Sequence, residues 1–281
     1  MKIGIALGGV RSRMWTPVTE EADRLGYESV WMPEHLVLPT GIEGSPFHGA
    51  GHPPVPPEIP VFDPFTYLGY LAGRTEQIRF GTHIYNIGLR HPFVVARAVT
   101  TLDVVSGGRV EFGIGASWLK EEWDAVGLDF ATRGRRIDES IEVCRRLWTE
   151  DVVEHHGEFF DFDPVKFEPK PKQKPYPPLV IGGDGPAALR RAASVGDGWI
   201  PMNHSRQQIG EDAAKVQRLR REAGREGHTT VTFGSAAPAE DELTALAELG
   251  VDRVLVRPWA DGSDPLESLR KYADLVGSSL A

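Results

Sequence analysis

Apolar, strand-like segments and amphipathic, helix-like segments alternate along this chain eight times, and that strict order constrains the fold more than any other feature. The strand-like segments are Lys2–Leu7, Ser29–Met32, Ile78–Ile84, the run through Val110, Phe112 and Ile114, Leu179–Ile181, Gly198–Ile200, Thr230–Phe233 and Arg253–Val256. Helical periodicity fills the gaps. Thr16-Pro17 reads as an N-cap and first helical residue, with Val18, Ala22 and Leu25 on one face and Gly26 as the stop. Phe65–Gly73, a helix from His91-Pro92 carrying Val95, Val99 and Leu102, Arg133–Trp148, Ala187–Val195, Gln207–Glu226, Glu240–Leu249 and Leu266–Val276 complete the pattern. A β-then-α order implies a parallel sheet, and eight units fit a closed (β/α)8 TIM barrel. The rival architecture is a doubly wound open sheet, but no dinucleotide fingerprint follows the first strand.

The glycines around the fourth strand, Gly107-Gly108-Arg109-Val110-Glu111-Phe112-Gly113-Ile114-Gly115-Ala116-Ser117-Trp118, imitate such a fingerprint. The position of its last small residue holds Trp118, whose bulk would spoil the close helix–strand packing that the motif needs. The glycines therefore read as a strand-end binding loop, where a missing Cβ lets backbone approach a ligand. A chain of 281 residues suits two average domains or one large barrel. The alternation favours a single barrel domain over 1–281, with irregular insertions near 36–64 and 151–178 and Glu158–Phe162 as a short strand in the second. Loops of that length in a compact domain are usually lids or binding segments.

No apolar run is long enough to cross a bilayer, and the N-terminus opens directly as a strand, so the expected location is cytoplasmic. A net charge of −9 argues against general nucleic-acid affinity. Cys144 is the only cysteine, which excludes intramolecular disulfides, and its helical spacing with Ile137, Ile141 and Trp148 makes it a core residue. His48 and His52 lie four apart in a Gly/Pro loop without a third ligand of suitable spacing, so no metal is expected. Lys170, Lys172 and Lys174 read as a solvated, proline-stiffened loop.

In a barrel of this type the site lies at the carboxyl ends of the strands. The candidates are then His35, His83 to Asn86, Gly115 to Trp118, Gly182 to Pro186 and Arg257 to Trp259. His35, directly after the second strand, suits general acid–base work near neutral pH or a plain backbone hydrogen bond. Gly182, Gly183, Asp184 and Gly185 precede a helix starting at Pro186, and free amides there suit a phosphate or serve only a tight turn. Asp184 conflicts with the phosphate reading unless it points away. Thr82, Asn86 and Arg90 are polar candidates for a ligand, and Trp118 could wall a substrate pocket or simply pack.

Several of these loops resemble the luciferase-like monooxygenase superfamily, in particular its deazaflavin (coenzyme F420)-dependent oxidoreductases. The matching stretches are Leu25-Gly26-Tyr27-Glu28-Ser29-Val30-Trp31 with Glu34-His35, Gly107-Gly108-Arg109 through Trp118-Leu119-Lys120-Glu121-Glu122, and Ile181-Gly182-Gly183 through Gly196-Asp197-Gly198-Trp199. Thr132 to Glu139 and Phe167-Glu168-Pro169-Lys170-Pro171 also match, and the likeness runs to about Pro201. The resemblance implies an F420 or, alternatively, FMN ring held in the barrel mouth over a bulged third strand, with a non-proline cis bond at His83–Ile84. It implies cofactor contacts from Thr82, His83, Ile84, Asn86, Gly115, Ala116, Ser117 and the 182–185 turn, with His35 near the reactive carbon. Ala116 stands where the sugar-phosphate dehydrogenases of the family carry an acid, which puts that substrate in doubt. The resemblance further implies a homodimer, a small-molecule substrate and, for the flavin alternative, a partner reductase supplying reduced flavin. A cofactor carrier without turnover is the reading from another class.

Overall fold

The computed structural model describes residues 1–41 and 56–280; His48 and His52 lie outside them. The strands are β1 (Lys2–Ala6), β2 (Ser29–Met32), β3 (Arg79–Thr82), β4 (Tyr85–Asn86), β5 (Val110–Gly115), β6 (Val153–His156), β7 (Asp161–Val165), β8 (Leu179–Gly182), β9 (Gly198–Ile200), β10 (Thr230–Gly234) and β11 (Arg253–Val256). The helices are α1 (Trp15–Leu25), α2 (Pro64–Ala72), α3 (Pro92–Val105), α4 (Lys120–Ala125), α5 (Arg133–Thr149), α6 (Pro186–Ser194), α7 (Arg206–Glu222), α8 (Glu240–Glu248), α9 (Pro265–Leu275) and α10 (Gly277–Leu280). Parallel pairing runs β3-β2-β1-β11-β10-β9-β8-β5, and β5 pairs back onto β3, so the expected barrel closes. β4 continues β3 along β5 beyond a break.

Local chemistry explains where the helices start. α2, α3, α6 and α9 each begin with proline, whose missing N–H is no loss in a first turn. Asp63 caps α2 through Thr66 N, His91 caps α3 through Phe93 N, and Asp264 caps α9 through Leu266 N and Glu267 N. α1 departs from expectation, because it begins at Trp15 and Thr16 lies inside its first turn. The tertiary reason is that Trp15 Nε1 donates to Leu7 O at 3.0 Å and Val10 O at 3.2 Å, tying the helix start to the end of β1. α7 stops at Glu222, short of Glu226, because the chain turns through Gly224 at φ 70°.

The second insertion also differs from expectation. Its strands are Val153–His156 and Asp161–Val165, an antiparallel hairpin, and Glu158–Phe160 forms its turn. The Glu139 carboxylate of α5 fixes that turn by accepting from Phe159 N at 3.0 Å and Phe160 N at 2.9 Å. Lys170 is tied down as well, donating to Leu147 O at 2.9 Å and thus satisfying a carbonyl at the end of α5. Cys144 is buried in the core as expected, and burial pushes its thiol well above the ordinary range.

Two packed layers result. Val30, Met32, Phe80, Phe112, Ile114, Ile181, Trp199 and Val254 face outward into the helices. Ala6, Trp31, Val180, Ile200 and Leu255 fill the barrel interior, with Ile84 packed on them from the mouth. The Trp31 indole spans that interior because Gly81 and Gly113 leave it room; a Cβ on Gly81 would come within 2.2 Å of the ring. Beneath it, at the amino ends of the strands, the buried Arg253 guanidinium donates to Glu28 at 2.7 Å and lies 3.4 Å from Glu111. Burial alone would raise the Glu28 carboxyl, but Arg253 outweighs it and the group is held below its usual range.

Candidate active site

Three adjacent strand ends, β2, β3–β4 and β5, build a buried polar network at the mouth. Glu34, two residues past β2, is 6% exposed, accepts from Asn86 N at 2.8 Å and pairs with Arg90 at 2.6 Å. Burial raises its carboxyl above the usual range despite the opposing pull of Arg90 and the Asn86 amide. Arg90 also stacks over Tyr85, with 4.4 Å between its guanidinium carbon and the ring centre. Arg90 is therefore committed inside the wall rather than offered to a ligand.

A second buried carboxylate, Glu122 of α4, binds the chain around His35. It accepts from Leu36 N at 2.5 Å and from Asn86 Nδ2 at 3.4 Å, and its Oε2 lies 3.5 Å from His35 Nδ1. The His35 ring is 20% exposed and edge-on to Trp118, with 6.1 Å between centres. Its Nδ1 and the Asn86 Oδ1 are both buried without a hydrogen bond. Buried polar atoms of this kind ask for a partner. With Nδ1 turned to a carboxylate, Nε2 is the nitrogen left to face the mouth.

The centre of the mouth is formed by the break in the third strand. The His83–Ile84 peptide is cis. Ile84 then lies across Gly115 and Gly182, where added Cβ atoms would come within 2.9 Å and 2.8 Å of it. The missing side chains at both positions leave the space that Ile84 fills, and its side chain forms an apolar shelf there. His83 stands edge-on to Trp31 at 6.5 Å, and its imidazole is pushed down to about 4, first by burial and then by Arg257. It is thus neutral at ordinary pH. Thr82 is 2% exposed and its hydroxyl donates to Gly113 O at 2.6 Å, so it braces the shelf from behind. Ala116 packs against the core, and Ser117 adopts φ 60°, a left-handed conformation uncommon outside glycine, while its hydroxyl accepts from Leu119 N at 3.1 Å. That turn aims Trp118 toward His35.

Beyond the shelf, Gly183 takes φ 125°, which glycine alone adopts readily. Its N–H donates to Ile200 O at 3.1 Å and its carbonyl accepts from Trp199 Nε1 at 2.9 Å. Gly185, Pro186 and Ala187 are exposed, and α6 presents its first amides outward with the positive end of the helix dipole. Asp184 leans the other way, accepting from Met202 N at 2.6 Å and Asn203 N at 3.2 Å.

The structure thus gathers His35, Asn86 and Trp118 on one side, Ile84, Gly115 and Gly182 in the middle, and Gly183 to Gly185 on the far side. Sequence reasoning gave no role to Glu34 and Glu122, although both stand in the stretches that carried the family resemblance. Their adjacency to His35 in the chain and in the fourth-strand motif was the available signal. Among the described residues no group of three His, Cys, Asp or Glu side chains could hold a metal ion, and no helix is long and apolar enough to cross a membrane.

A closed parallel barrel with a histidine and two buried carboxylates gathered at the carboxyl ends of its strands has the architecture of a barrel enzyme. The profile of the luciferase-like monooxygenases matches residues 14–276, and the chain belongs to that family. It is 33% identical over 276 residues to an uncharacterised protein of Mycobacterium tuberculosis, covering 95% of this chain and 94% of that one. It is 32% identical over 166 residues to the FMNH(2)-dependent dimethylsulfone monooxygenase of Pseudomonas putida, covering 56% of this chain and 45% of the other. Among solved structures, the coenzyme F420 dependent tetrahydromethanopterin reductase from Methanopyrus kandleri superposes with a TM-score of 0.80 over 100% of this chain and 99% of that one, at 17% identity. Family neighbours thus include F420-dependent and flavin-dependent enzymes.

Proposed function

We propose that this enzyme moves a hydride between coenzyme F420 and a small organic substrate, with His35 handling the accompanying proton. The observation that carries the reading is the His35 imidazole, turned by Glu122 so that one nitrogen faces the mouth beside Trp118. The residues present suit a flat tricyclic ring. Ile84, seated over Gly115 and Gly182, offers an apolar shelf, and Asn86 Oδ1 is a buried acceptor still lacking a donor. Thr82, His83, Ala116 and Ser117 shape the surrounding wall, and the amides of Gly185, Ala187 and Ala188 at the start of α6 suit the phosphate of the tail.

When bound, the deazaflavin supplies or accepts the hydride, and the redox chemistry is its own. The chain's part is narrower. His35 Nε2 takes a proton from, or returns it to, a substrate oxygen, and Glu122, 3.5 Å from Nδ1, helps to place the ring. Trp118 closes one side of the substrate pocket and excludes water. Glu34 and Arg90 hold Asn86 and the β4 backbone in register with that ring. A single domain acting as a homodimer in the cytoplasm is part of this reading.

The second reading is an FMN-dependent monooxygenase served by a partner reductase, favoured by the likeness to the dimethylsulfone monooxygenase. Anaerobic titration of the purified protein with F420 and with FMN separates the two. Tight binding of FMN alone overturns the F420 assignment. Tight binding of F420 without turnover over a panel of alcohols, ketones and enones overturns the enzyme reading in favour of a carrier.

A further inference from the structure

A carboxylate beside a phosphate site repels the ligand, yet Asp184 is embedded in the turn assigned to the phosphate. Its surroundings resolve the conflict. Oδ1 and Oδ2 accept from the Met202 and Asn203 amides, which draw the side chain toward the loop after β9. His204 of that loop has a side chain only 5% exposed, with Nδ1 3.3 Å from Asp184 Oδ1 and Nε2 2.9 Å from Asp212 Oδ2 of α7. Lys215 Nζ stands 3.6 Å from the other oxygen of Asp212. The imidazole packs edge-on against Trp199 at 5.4 Å, and Trp199 in turn holds the Gly183 carbonyl. His204 Nδ1 is buried and makes no aligned hydrogen bond, so the ring bears on Asp184 through its position. Carboxylate, imidazole, carboxylate and ammonium form one chain running away from the start of α6.

We propose that His204 is a positioning residue for the ligand tail: packed behind Asp184, it keeps that carboxylate turned from the α6 amides, so that a phosphate-bearing cofactor can dock there. The inference rests on the phosphate role assigned to the start of α6 under the proposed function. Without His204 the Asp184 carboxylate loses the ring packed behind it and can swing its charge toward the anion. Repulsion of that kind acts on the tail and leaves the ring's contacts with the shelf unchanged.

The test compares each cofactor with its tail-free counterpart by fluorescence titration: F420 against the bare deazaflavin core, and FMN against riboflavin. Wild-type protein is expected to prefer the tailed form of its own cofactor by about tenfold or more, the scale of charge-assisted bonds to a phosphate. His204→Gln is expected to lose most of that preference while the tail-free affinity stays constant. Adding Asp184→Asn to His204→Gln is expected to restore it, because the repelling charge is gone. Asp212→Asn, at a more exposed position, is expected to show a smaller loss in the same direction and serves if His204→Gln does not fold. Wild-type protein with no preference for a tail overturns the phosphate assignment and the inference together. A tail preference that survives His204→Gln overturns the inference alone. So does a loss that Asp184→Asn fails to restore, or a loss shared equally by tail-free ligands, since both are what a purely structural histidine would give.

Discussion

Replacing Gly81 with alanine tests whether one indole plugs the barrel beneath the site. The new Cβ would lie 2.2 Å from Trp31 Cδ2, 2.4 Å from Cε3 and 2.6 Å from Cε2. Carbon atoms rest about 3.5–4.0 Å apart, so more than an ångström of relief must be found. The indole is held in place: Nε1 donates to Ser29 Oγ at 2.8 Å, and the Arg253 guanidinium sits 5.2 Å from the ring centre. The strand is held too, because β3 is paired with β2 on one side and β5 on the other. Overpacking of this kind costs about 1–3 kcal/mol. For a chain of this size that is a fall of roughly 2–12 °C in Tm. Trp31→Leu removes the clashing ring, so the loss in the double variant should fall short of the sum of the single losses by about 1 kcal/mol or more in a urea double-mutant cycle. His83 lies two residues along from Gly81, so the shelf should be disturbed as well, weakening cofactor binding. A Gly81→Ala protein melting within about one degree of wild type, or strict additivity with Trp31→Leu, would refute the packing argument.

Other outcomes follow from the same geometry. His35→Ala should lower turnover by about 10²–10⁴-fold, the usual share of general acid–base catalysis, while cofactor affinity in a fluorescence titration stays put; unchanged turnover removes the role. Arg90→Met leaves Glu34 buried without its partner and should cost about 3–5 kcal/mol in urea unfolding, most of it recovered by adding Glu34→Gln. His83 has its imidazole held at about 4 against an ordinary 6.5. A depressed native value means that its contribution is complete above pH 6.5 and is lost as the pH falls through 4, by at most about 3 kcal/mol. His83→Gln should flatten the stability profile over that window, and an unchanged slope there would show that the imidazole is not the group responsible. Asp264→Ala should cost about 1 kcal/mol by removing the cap that serves Leu266 N and Glu267 N, read as a small drop in urea midpoint.

How far each element could be read follows from its chemistry. The helices at Pro92 and Pro186 were legible because proline and its neighbour act within a single turn. Thr16 misled for the opposite reason, since the start of α1 is set by an indole reaching back to Leu7. Glu158–Phe162 read as a short strand, but a carboxylate on α5 makes its first three residues a turn, and only Asp161 and Phe162 join β7. His35, the shelf glycines and the cis bond at His83–Ile84 were legible through the family's motifs. Glu34 and Glu122 were not, because nothing local tells whether a strand-end carboxylate faces water or an arginine 56 residues away.

The sequence by itself determined the eightfold alternation, the parallel sheet it demands, and the loops that gather at one rim, because hydrophobic periodicity reports burial within each segment. The tertiary structure alone decided the partners: Glu34 with Arg90, Glu122 with His35, Asp184 with His204, and Trp31 over Gly81. Such pairs depend on ring closure, which brings distant strand ends together at a register that short-range patterns do not encode. Once water is excluded there, each buried charge must be matched by whichever group the closure delivers.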